Sequence, residues 1–74
     1  MKERFLELLA EIVEADSPLT VEMVLEDLDG WDSLAILSMI SMVDDEFGVF
    51  ITQKDLKNMV TVGDLVAFVF KPLN

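Results

Sequence analysis

Between residues 3 and 15 the apolar side chains Phe5, Leu8, Leu9, Ile12 and Val13 recur at helical spacing, while Glu3, Glu7, Glu11 and Glu14 fall on the opposite side. This pattern predicts an amphipathic helix ended by Asp16-Ser17-Pro18. Residues 19 to 32 carry Leu19, Val24, Leu25 and Leu28 without a clean period, as expected of a long loop packed on a core. A second helix is expected from Ser33 to Phe47, stopping at Gly48, a residue that readily adopts the left-handed conformation common just past a helix end. Lys54 to Asn58 read as a short turn. Thr61 can cap a last helix running through Phe70, with Asp64 near its positive end and Pro72 closing it. The sum is an all-α chain, a small four-helix bundle of three main helices plus one short helix, with a long first loop. Without repeats or linker segments, residues 1–74 are expected to form a single domain.

On a wheel of about 100° per residue, Ile36, Met39, Ile40, Val43 and Phe47 fall together and mark the core face of the second helix. The opposite side holds Ser38, Ser41 and Asp45. Leu34 and Leu37 lie on or beside that polar side, which makes them candidates for contact with a partner, although scattered exposed leucines are ordinary in folded proteins. The uncharged stretch from Leu34 to Val43 is about ten residues, half of what a bilayer crossing needs, so it reads as a buried helix and not as a membrane span.

Composition narrows the chemistry. The 74 residues allow one small core. With no cysteine and no histidine, the chain offers no disulfide, no thiolate ligand, no imidazole ligand and no imidazole base, so no metal site is expected. Any thiol chemistry must come from outside the chain. Five basic against fifteen acidic residues give a net charge of -10, which repels phosphate backbones and favours encounter with basic protein surfaces. Nucleic acid is thereby disfavoured as a partner. An apolar fraction of 53% suits a compact fold with apolar surface or cavity left for a ligand or partner. Lys2, Glu3 and Arg4 follow Met1 directly, so no secretory signal is expected, and the default is a whole, monomeric, cytoplasmic protein.

Gly30-Trp31-Asp32-Ser33-Leu34 sets a serine hydroxyl just after a loop, where another enzyme could modify it. A hydrolase reading fails, because a nucleophilic serine needs an adjacent base and the chain has no histidine and no Gly-x-Ser-x-Gly elbow. Asp27, Asp29 and Asp32 do not make a calcium loop, since Gly30 is not at the sixth position after an acidic first ligand and no glutamate closes the loop. Asp44-Asp45-Glu46 reads first as a solvated acidic surface. Ser33 itself can serve as a helix N-cap. The two roles are compatible, because a phosphodiester on Ser33 would sit at the positive end of the second helix.

The order and spacing of Gly30-Trp31-Asp32-Ser33-Leu34, Asp45-Glu46-Phe47-Gly48-Val49 and Thr61-Val62-Gly63-Asp64-Leu65 resemble those of acyl carrier proteins over nearly the whole chain. The resemblance implies a four-helix bundle whose Ser33 carries 4'-phosphopantetheine from coenzyme A, with acyl groups held as thioesters on the arm. By the same likeness, Asp32 would help engage a phosphopantetheinyl transferase. Leu34 and Leu37, with Asp44 and Asp45 nearby, would face acyl-loading and acyl-processing enzymes through their basic docking patches. Ile36, Met39, Ile40, Val43 and Phe47 would line an acyl cavity. Ala35 and Ser38 stand where fatty-acid carriers usually bear acids on the exposed side of the second helix, Ile36 stands for a frequent threonine, and Lys54 and Lys57 enter a helix that is typically acidic. These departures favour a carrier of a specialised pathway. A carrier of aminoacyl or peptidyl groups shares the fold and the serine and differs in cargo, and an acidic helical adaptor without a prosthetic group is a further alternative.

Overall fold

Four helices account for most of the chain: α1 (Lys2–Val13), α2 (Ser33–Phe47), α3 (Gln53–Leu56) and α4 (Val62–Val69), in a computed structural model that describes residues 1–71. The long first loop contains a short 3-10 helix at Leu25–Asp27. The architecture is the bundle of three main helices and one short helix expected from the periodicity.

α1 ends earlier than Asp16-Ser17-Pro18 suggests. Glu14 adopts the left-handed conformation (φ 56°), and the Ala15 N–H reaches back to the Ala10 carbonyl at 2.9 Å, which closes the helix at Val13. Phe5, Leu9 and Val13 form its buried stripe. α2 begins and ends as expected, with Gly48 at φ 66° donating to the Asp44 carbonyl.

The buried line of α2 is rotated from the expected face. Ala35, Met39 and Val43 are buried, at a spacing of four residues, whereas Ile40 and Phe47 are partly buried against them and Ile36 is partly buried outside the core cluster. Ala35, expected on the exposed side, faces inward because it lies beside Ile12, Val13 and Gly30, where α2 meets the end of α1. A small side chain suits that close approach.

α3 is a true helical turn over Gln53–Leu56, one register earlier than the Lys54 to Asn58 turn. Thr52 and Asp55 cap it reciprocally, the Asp55 N–H donating to Thr52 Oγ1 (3.1 Å) and the Thr52 N–H donating to the Asp55 carboxylate (3.0 Å). α4 starts after Thr61 as expected, buries Val62, Leu65, Val66 and Val69, and has Phe70 as its C-cap. Pro72 lies outside the described residues.

The long loop is stitched to the start of α4. Leu25 N–H donates to the Val60 carbonyl (2.8 Å), Val62 N–H to Met23 (2.9 Å) and Gly63 N–H to Val21 (2.9 Å), around an isolated antiparallel bridge between Val24 and Thr61. Leu19 and Leu25 anchor the loop in the core. At the far end of α2, about 20 Å from Ser33 by helical rise, the rings of Phe5, Phe47 and Phe70 meet edge to face with centroids 5.3–6.1 Å apart. That cluster closes the bundle away from the serine.

Candidate functional site

The segment preceding α2 is held by backbone contact. A side chain on Gly30 would collide with the Val13 carbonyl oxygen and come within 2.8 Å of the Val13 Cα, so only glycine lets this loop lie on the end of α1. The Trp31 N–H then donates to the Leu28 carbonyl (3.0 Å), and Trp31 packs against the core while remaining partly accessible. Asp32 follows in an extended conformation (φ -135°) and the chain turns into α2.

The N-cap of α2 is Asp32 and not Ser33. Its carboxylate accepts the Ala35 N–H at 2.9 Å, and its carbonyl accepts the Ile36 N–H at 2.9 Å. This corrects the expectation that one serine would serve as both cap and attachment point, and the reason is extended backbone at 32 followed by helical backbone from 33. Ser33 therefore occupies the first helical position, exposed, and its hydroxyl enters none of the side-chain hydrogen bonds among the described residues. A hydroxyl free of structural duty can be consumed by a reaction without cost to the fold.

A cleft of about 320 Å³ opens beside Ser33, between the start of α2 and α3. Leu25, Trp31, Ile36, Leu56 and Met59 supply its apolar wall, and Glu26, Gln53 and Lys57 its polar groups. An arm rich in amide and hydroxyl groups, ending in an apolar or polar cargo, meets both kinds of surface there. The free Ser33 hydroxyl and the mixed lining fit 4'-phosphopantetheine.

The other residues named from the sequence are spread around this point. Leu34 and Leu37 stand out from α2 with 73% and 54% exposure. Leu37 also lines a groove of about 550 Å³ between α1 and α2, with Leu8, Ile12 and Met42 on its floor and Glu11, Asp45 and Glu46 at its edge. Asp44 and Asp45 are exposed near the C-terminal end of α2. Of the five residues expected to line an acyl cavity, Ile36 borders the Ser33 cleft, while Met39 and Val43 are fully enclosed in the core and Ile40 and Phe47 pack against it. No group of three or more acidic side chains is close enough to hold a metal ion among the described residues, and no helix there is long and apolar enough to cross a membrane.

Periodicity missed the α3 side of the cleft. Gln53, Leu56, Lys57 and Met59 reach Ser33 only through tertiary packing, and the usable local signal is the Thr52-x-x-Asp55 capping pattern, which starts the short helix at Gln53, one residue before the expected turn. Phe50 was missed as well: it is 75% exposed between the partly buried Val49 and the buried Ile51, so the apolar run there alternates its burial.

Comparison with known proteins converges on one group. Residues 3–69 match the model of the phosphopantetheine attachment site family. An acyl carrier protein of Arthrobacter sp. (strain FB24) is 39% identical over 67 residues, covering 82% of each chain. One from Myxococcus xanthus is 36% identical over 74 residues, covering 92% of each. A solved structure from Mycobacterium tuberculosis, described as a putative acyl carrier protein, superposes with a TM-score of 0.79 at 34% identity and covers 92% of both chains.

Proposed function

Because the chain belongs to the acyl carrier protein family, whose members hold 4'-phosphopantetheine covalently, we propose that Ser33 is the residue that takes the arm and that residues 1–74 act as one carrier domain. The observation that carries this reading is the division of labour at the start of α2: Asp32 caps the helix and Ser33 keeps a free, exposed hydroxyl. In loading, Ser33 Oγ attacks the pyrophosphate of coenzyme A. The Oγ–P bond forms, the P–O–P bridge breaks, adenosine bisphosphate leaves, and the hydroxyl proton passes to a base on the transferase. The chain has no histidine to act as that base, and the reading assigns the role to the transferase. The negative ester then sits at the positive end of a helix of 15 residues.

Once loaded, the arm's terminal thiol holds acyl groups as thioesters. The protein's own task is presentation: a tethered thioester meets each enzyme at high effective concentration. Catalysis by the chain itself is not part of this reading. Phosphopantetheinyl transferases and acyl-processing enzymes are the partners the family implies. Leu34 and Leu37 offer apolar contact to them, and Asp44 and Asp45 with Asp27, Asp29 and Glu46 draw basic patches toward the surface, an advantage that falls as salt rises. We place this traffic in the cytoplasm.

Ser38 is exposed on α2, and α3 carries Lys54 within it and Lys57 at its C-cap, which supports a carrier of a specialised pathway over the general carrier of fatty acid synthesis. Ala35 no longer contributes to that argument, because it is buried. The test of the core reading is the intact mass of the chain after incubation with coenzyme A, magnesium and a broad-specificity transferase. One phosphopantetheine on the native chain and none on Ser33→Ala is expected; an equal load on the variant overturns the site.

A further inference from the structure

The net charge of -10 makes each cation conspicuous, and one of them lines the cleft that Ser33 lines. Lys57 lines the same cleft as Ser33, Trp31 and Gln53, and it is the sole basic residue lining any of the four clefts described on this surface. It enters no ion pair among the described residues, where the pairs are Met1 N-terminus with Glu3 and Arg4 with Glu7. Glu26 borders the same cleft without pairing to it. Lys54, three residues away on the same short helix, does not line the cleft.

Lys57 is exposed, and its place in the cleft that Ser33 lines offers a cationic partner to an anion formed there. Attachment at Ser33 supplies one within the cleft itself, because the phosphodiester is bonded directly to the serine oxygen. Resting on the reading of Ser33 as the attachment residue, we propose that Lys57 pairs with this phosphodiester and holds the first segment of the arm in the cleft against Trp31. Lys57 is thus a positioning residue. It sets where the arm leaves the protein and biases it toward the α3 side, at the expense of the freely extended state. The neighbouring role of Lys57 as C-cap of α3, where a cation favours the helix carbonyls, is compatible with the pairing and does not require the cleft.

Trp31 is the chain's one tryptophan and lines this cleft, so its fluorescence reports the arm directly. The experiment compares acrylamide quenching of Trp31 before and after attachment in the native chain, Lys57→Gln, Lys57→Arg and Lys54→Gln, with each load first verified by intact mass. Acrylamide is neutral, so the charge changes do not alter its approach. Attachment should lower the quenching constant in the native chain, Lys57→Arg and Lys54→Gln. That protection should disappear in Lys57→Gln, and in every chain at about 0.5 M salt, where the screening length is only a few ångströms. Equal protection in Lys57→Gln and the native chain, or no protection in the native chain, overturns the proposal. Protection that needs Lys57 only once a carboxylated acyl group is loaded also overturns it, assigning the cation to cargo and not to the phosphodiester. Failure of loading is a separate result, read from the mass alone, and counts against Ser33 itself.

Discussion

The two main helices that begin after a loop do so in opposite ways. At α4 the start is closed: Thr61 Oγ1 accepts the Asp64 N–H (3.1 Å), the Asp64 carboxylate accepts the N–H groups of Val60 (2.7 Å) and Thr61 (3.0 Å), and the loop carbonyls of Met23 and Val21 take those of Val62 and Gly63. At α2 the Asp32 carboxylate takes Ala35, while the Ser33 hydroxyl is free and no partner from the loops takes the N–H groups of Ser33 and Leu34 among the described residues. Donors left over at a helix start are taken by water or by a bound group, and under the proposed function a phosphodiester on Ser33 would meet those of α2.

Breaking the open end should abolish modification and spare the fold. Ser33→Ala is expected to lose all phosphopantetheine loading while its thermal midpoint stays within a few degrees of the native chain, since an exposed surface substitution changes stability by about 0.5 kcal/mol or less. Gly30→Ala tests what holds that end in place. A methyl group driven into the Val13 carbonyl should cost about 1–3 kcal/mol in denaturant unfolding and slow loading by displacing Asp32 and Ser33 together. Asp32→Asn separates capping from charge, because asparagine caps about as well as aspartate. Its stability should hold, whereas loss of a charged contact to the transferase should lower loading kcat/KM roughly tenfold or more.

The closed end should answer in the reverse sense. Thr61→Ala is expected to cost about 1 kcal/mol with loading unchanged, read as a fall of about 4–8 °C in thermal midpoint. The smallest effect is electrostatic. The Val60 N–H first and the Thr61 N–H second hold the Asp64 carboxyl below its ordinary value. Its unfolded value is then the higher of the two, so its contribution is fully present above about pH 4 and is lost as pH falls through the lowered folded value. Acid unfolding curves of Asp64→Asn and the native chain should converge below that window; equal separation at all pH values would contradict the assignment.

What was legible in the sequence followed the range of the interactions. α2 was readable at both ends because its signals are local, Asp32-Ser33 at one and Gly48 at the other, and the start of α4 was readable for the same reason at Thr61 and Asp64. The rotation that buries Ala35 and leaves Ile36 partly exposed was not, since the wheel knows the apolar side but not which neighbour approaches it. Loop pairing to α4 through Val24 and Thr61 joins residues distant along the chain, and no local pattern encodes it. The serine is legible by family likeness, while its freedom from capping follows from the extended backbone at Asp32, which no local pattern encodes.

The most direct test of the account is to locate the arm. The chain has four serines, Ser17, Ser33, Ser38 and Ser41, and the last two share the exposed side of α2 with Leu34 and Leu37. Fragmentation mass spectrometry of the loaded chain should place one phosphopantetheine on Ser33 and none on the others. A modification found on Ser38, Ser41 or Ser17, or retained in Ser33→Ala, would contradict the claim that the open start of α2 is the working site.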